Sequence, residues 1–137
     1  MTVDALLVQL GAASPLERDD AAAWLGDMLR AGVLDQETAE RVVAALVALA
    51  VGERDRVVTE QALYSIGEAF VHRLIPLRVV EPLVDRMPTL DNELAGYVLN
   101  TLACTRDLAV RPVLARFAAD PDPTVRQHAV EAIAELD

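Results

Sequence analysis

The chain has 137 residues, 53% of them hydrophobic but only 4% aromatic, and a formal charge of -10 from 22 acids set against 12 bases, every one an arginine. That length suits one domain with a real core, and the apolar content excludes a disordered acidic tail. The charge repels phosphate backbones and anionic lipid, which sets aside nucleic acid and membrane surfaces and leaves basic proteins as partners.

Apolar residues recur three or four apart throughout, as in Val42, Leu46 and Leu49, or Val125, Ala129, Ile133 and Leu136, and no stretch alternates with period two. The reading is therefore all-α. Gly and Pro punctuation cuts the chain into helices near 4–10, 15–31, 35–51, 55–73, 77–87, 91–104, 107–119 and 123–136. The second opens on a capping box, Ser14 before Pro15 with Glu17 three residues on, and Asp35 and Asp122 begin their helices in similar fashion. The longest apolar run, Val42 to Val51, is half the roughly 20 residues a membrane span needs, so it reads as a buried helix. An early acid, Asp4, and no basic segment before it argue against a secretory signal and for the cytoplasm. The single cysteine, Cys104, reads as a small core filler near a helix end.

The last helix supplies a repeat template. The segment Asp120-Pro121-Asp122-Pro123, then Val125-Arg126, then Ala129 with Ile133 four residues on, resembles the second helix of a HEAT repeat. Sliding it back pairs Ala95 with Leu99, Ala62 with Ile66 and Ala21 with Leu25. Gly67 and Gly26 coincide, and Arg18 falls where Arg126 does, with Thr59 and Asn92 between. Pro82 and Pro112 share apolar flanks, matching the proline of the family's first helices, where it kinks the helix. The resemblance implies a right-handed α-solenoid of about four HEAT-like helix pairs spanning 1–137, with repeats near 1–32, 33–74, 75–105 and 106–137. The rival is an ordinary antiparallel bundle.

Catalytic chemistry is not legible. No phosphate-cradling glycine loop or nucleophile elbow occurs, His72 and His128 lack paired ligand spacing, and the acidic pairs Asp19-Asp20 and Glu131 with Glu135 read as solvated helix faces. No enzyme activity, metal or cofactor is expected.

In the HEAT family the second helices line the concave surface. Counting from the repeat alanines, three rows share one face: Asp20, Gln61, Leu94 and His128; Ala23, Tyr64, Tyr97 and Glu131; Asp27, Glu68, Thr101 and Glu135. Two tyrosines in adjacent repeats, framed by acids, make the best candidate contact site, because tyrosine anchors interfaces and carboxylates steer basic partners. Trp24 is expected in the core or as a cap over the first repeat. The leading expectation is a cytoplasmic, non-catalytic HEAT-type module that binds a protein with a basic surface, of the immunity type that neutralises a bacterial toxin. Two alternatives stay open. One is a scaffold subunit that self-associates as a homodimer through exposed terminal repeats; the other is an enzyme akin to bilin lyases.

Overall fold

The computed structural model describes all of residues 1–137, which are entirely helical and turn. The chain forms two compact units, Met1–Ile75 and Pro76–Asp137. No helix is long and apolar enough to cross a membrane.

The first unit holds α1 (Val3–Gln9), α2 (Pro15–Ala31), α3 (Gln36–Gly52) and α4 (Arg56–Glu68), followed by a 3-10 turn over Ala69–Val71. Each start is dictated locally. The hydroxyl of Ser14 accepts the Glu17 N–H, the Asp35 carboxylate accepts that of Thr38, and Asp55 accepts those of Val57 and Val58, so each cap satisfies donors that helix geometry leaves free. Gly32 ends α2 in the left-handed region, φ 71° and ψ 22°, where a side chain would be strained. The main contact runs along α2 and α4, while α3 packs on α4 and α1 on α2. Leu25, Leu29, Leu46, Leu63 and Ile66 are fully buried there, each stabilising by roughly 1.5–3 kcal/mol.

The second unit begins with α5 (Leu77–Val80) and α6 (Leu83–Arg86), then α7 (Asn92–Cys104), α8 (Arg111–Phe117) and α9 (Pro123–Leu136). Here α9 lies against α7 and α8, and α5 touches α7. The single helix expected over 77–87 is two, parted at Glu81 and Pro82, because proline gives no backbone donor and crowds the preceding turn. The helix expected over 107–119 is likewise a 3-10 turn at Leu108–Val110 joined to α8, with Pro112 in the first turn of α8, where its missing N–H is harmless.

Arg18 and Arg126 play one local part. The Nη1 of Arg18 donates to the carbonyls of Ala12 and Ala13, and that of Arg126 to those of Asp120 and Pro121, all at 2.9 Å. Each guanidinium thus ties the turn before its own helix to that helix's first turns. Arg18 also grips the Glu53 carboxylate through Nε at 2.8 Å and Nη2 at 3.0 Å. Glu53 further accepts the N–H groups of Arg54 and Asp55, closing the turn between α3 and α4.

Candidate functional site

The side-chain caps Ser14, Asp55, Asp91 and Asp122 give a common origin for α2, α4, α7 and α9. Ala21, Ala62 and Ala129 stand seven residues after their caps, but Ala95 stands only four after Asp91. The sequence pattern therefore slides α7 by one helical turn. Burial confirms the cap register: Leu94, Ala95, Val98, Leu99, Thr101 and Leu102 are buried in α7 where Val58, Thr59, Ala62, Leu63, Ser65 and Ile66 are in α4.

Two expected contact residues are thereby corrected. Leu94, 3% exposed, and Thr101, 2% exposed, belong to the core, because at three and ten residues past the cap they lie on the packed side of the helix. In the corrected register Tyr97 is equivalent to Asp20, Gln61 and His128; Asn100 to Ala23, Tyr64 and Glu131; and Cys104 to Asp27, Glu68 and Glu135. Tyr64 and Tyr97 are thus not counterparts, contrary to the expected tyrosine row.

In the first unit the face is built on a close helix crossing. Ser65 Oγ donates to the Ala22 carbonyl at 2.8 Å, and Gln61 Nε2 donates to Ser65 Oγ at 3.0 Å, so half-buried Gln61 is engaged in packing. Gly26 makes the approach possible, since a Cβ there would stand 2.7 Å from Ser65 Cβ and 3.1 Å from its Cα. Beside this seam the structure brings together Asp27, Tyr64 and Glu68, with Arg30, which the sequence reading missed. Arg30 Nε lies 3.7 Å from the Glu68 carboxylate. The Tyr64 hydroxyl titrates above the ordinary phenol range, first because it hydrogen-bonds Glu68, then through the charge of Glu68 and slight desolvation, with Asp27 adding and Arg30 opposing. Its ring remains 47% exposed. Asp20 is exposed on the same helix as Asp27 and adds charge to half-buried Asp19, whose carboxyl is pushed up chiefly by burial.

Trp24 is the larger surprise. It is 55% exposed and so not part of the core. Ten residues past its cap it is equivalent to Ser65, Thr101 and Ala132, all buried. In α4 that position faces the neighbouring α2, whereas on α2 it stays more than half exposed. Leu16, 70% exposed, lies two turns back, so Leu16, Asp20, Trp24 and Asp27 form one solvent-facing ridge. A lone tryptophan in an apolar chain reads first as core, and helical spacing aligns it with buried positions.

In the second unit Tyr97, half-buried, shares an open groove of about 350 Å³ with Glu93, Gly96, Asn100 and His128. The His128 ring packs onto Gly96, where a Cβ would come within 2.8 Å of it. Glu131 is exposed and accepts from Gln127 at 3.0 Å; Glu135 is exposed and its backbone carbonyl accepts from Arg106 at 2.9 Å. A larger cleft of about 450 Å³ opens beside the break at Pro82, floored by Leu77, Val84, Leu102, Val110 and Val113, with Arg78, Glu81 and Asp85 at its rim. No three His, Cys, Asp or Glu side chains stand close enough together to hold a metal ion. Compared with known proteins, the sequence matches no family model, and a search of curated proteins finds no match.

Proposed function

We propose that the chain is a HEAT-like α-solenoid module of about four helix pairs whose work is to bind another protein, without catalysis, through an acidic face of its second helices. The reading of the fold is supported within each unit by second helices lying against one another, α2 with α4 and α7 with α9, by the helix break at Pro82 in the second unit, and by the matching roles of Arg18 and Arg126.

One observation carries the functional reading. Around exposed Tyr64 stand Asp27 and Glu68, with Asp20 further along α2, and the one arginine there, Arg30, is already drawn to Glu68. Such a face offers a rigid aromatic anchor inside a negative field, which suits a partner presenting arginine or lysine around an apolar contact. The second unit, taken by itself, carries similar groups in Tyr97, His128, Glu131 and Glu135. The favoured form is a cytoplasmic immunity-type inhibitor of a basic bacterial toxin; the half-buried free thiol of Cys104 fits a reducing compartment.

The test is titration calorimetry against the product of the reading frame directly upstream in the genome. Binding that tightens at low salt and weakens by more than about 2 kcal/mol in Tyr64→Ala meets the hot-spot criterion. Tight binding indifferent to salt and to Tyr64 refutes the acidic face.

A further inference from the structure

On α4 and α9 the side that carries positions six and ten past the cap packs against the preceding second helix. Ser65 meets Ala22 and Gly26, and His128 meets Gly96. The same side of α2 carries Asp20 and Trp24, flanked by Leu16 and Asp27, and is exposed. It is a stacking face without a stacked helix.

Its chemistry selects among possible occupants. Trp24 and Leu16 offer apolar contact one above the other along the ridge, and Asp20 and Asp27 sit between and beside them. The two arginines of α2 have partners elsewhere: Arg18 is held by Glu53 and the carbonyls of Ala12 and Ala13, and Arg30 lies nearest Glu68. A second copy of this chain, at a net charge of -10, would set acid against acid. A helix with leucine-like residues on one face and arginines flanking it would cover Leu16 and Trp24 while pairing Asp20 and Asp27.

We propose that the Leu16, Asp20, Trp24, Asp27 ridge is a docking strip for a basic amphipathic helix of the partner, which stacks on α2 as α2 stacks on α4. The proposal rests on the protein-binding reading above and names the partner element and the contact.

The test uses the whole chain and a fluorescein-labelled amphipathic peptide of leucine and arginine, about 16 residues long, just past the length at which an isolated helix holds together. A peptide with glutamate in place of arginine is its control. Trp24 is the only tryptophan, so its emission reports the strip directly. The proposal expects a blue shift of Trp24 emission with the basic peptide alone, at least a tenfold loss of affinity by anisotropy in Leu16→Ala/Trp24→Ala, and a weakened salt dependence in Asp20→Asn/Asp27→Asn. All four side chains are exposed or on the helix surface, so the variants keep the fold, checked by circular dichroism. Basic peptide bound with no change in Trp24 emission and full affinity in the double alanine variant overturns the strip while leaving the acidic-face reading intact. No binding of the basic peptide by the native chain overturns both. Equal binding of the glutamate peptide refutes the charge argument, and a dimer in sedimentation that dissociates in Trp24→Ala makes the occupant a second copy and overturns the proposal.

Discussion

Gly26 and Gly67 hold the same place in the sequence pattern, twelve residues after their helix caps, yet the fold gives them opposite sensitivities. In Gly67→Ala the new methyl meets nothing within 4 Å, so only the helical preference of alanine acts, stabilising by about 0.8–1 kcal/mol. In Gly26→Ala the same gain applies, but the methyl would lie 2.7 Å from Ser65 Cβ and 3.1 Å from its Cα, against about 3.5–4 Å for relaxed carbon contact. Because the Cα is backbone, α2 and α4 must part. That overpacking costs roughly 1–3 kcal/mol. It also strains the bond from buried Ser65 Oγ to the Ala22 carbonyl, and a buried hydroxyl left unpaired costs roughly 1–3 kcal/mol more. Net destabilisation of about 1–5 kcal/mol follows for Gly26→Ala, read from urea unfolding by circular dichroism with Gly67→Ala alongside. Adding Ser65→Gly to Gly26→Ala removes the obstructing Cβ, so the pair should be coupled by more than about 1 kcal/mol in a double-mutant cycle. A Gly26→Ala protein as stable as Gly67→Ala, or a cycle with no coupling, refutes the close crossing on which the Tyr64 face is built.

Other consequences concern charge, caps and the thiol. Glu53 is held below the ordinary carboxylate range, first by its hydrogen bond to Arg18 and, against burial, by the Asp55 N–H, the charge of Arg18 and the Arg54 N–H. A depressed folded value contributes stability that is complete above the unfolded value of about 4.3 and is lost as pH falls through the folded one, so denaturant midpoints should drop on acidification below about pH 4.5. Asp35 acts in the same direction, while Asp19, raised by burial, acts in the opposite one. Glu53→Gln should flatten the acid limb, and an unchanged limb would count against the Arg18 grip as its cause. Asp122→Ala, which strips the Thr124 and Val125 N–H groups of their acceptor, should cost about 1 kcal/mol in urea unfolding, whereas a loss near zero would mean water replaces the cap freely. The Cys104 thiol is pushed up by burial, with Glu135 adding and Arg106 opposing, so it should react with a disulfide reagent near pH 8 much more slowly in the folded than in the urea-unfolded chain. Equal rates would refute that.

Much of the fold could be read from the chain because its signals are local. Helix starts at Ser14, Asp35 and Asp122 need only a side-chain oxygen and nearby N–H groups, and Pro82, expected to kink its helix, parts it because it lacks a donor. The site was less legible because it depends on rotational phase. An alanine and an aliphatic residue four apart occur at more than one turn of α7, so Ala95 and Leu99 match the template although Asp91 starts that helix one turn later than the match requires. That single turn moved buried Leu94 and Thr101 onto the supposed surface and hid Asn100. Trp24 escaped for a different reason. Its exposure depends on which helix neighbours α2, a tertiary fact that no periodicity encodes.

The central claim, an acidic face that draws in a basic partner, is tested most directly by association kinetics. Stopped-flow mixing of the chain with the upstream gene product should give a rate that falls steeply as ionic strength rises from about 0.01 M to about 0.15 M, over which the screening length shrinks from about 30 Å to about 8 Å. In a variant combining Asp20→Asn, Asp27→Asn and Glu68→Gln that dependence should largely vanish, while the fold persists by circular dichroism. A neutralised variant that keeps the native rate and the native salt dependence would contradict the account.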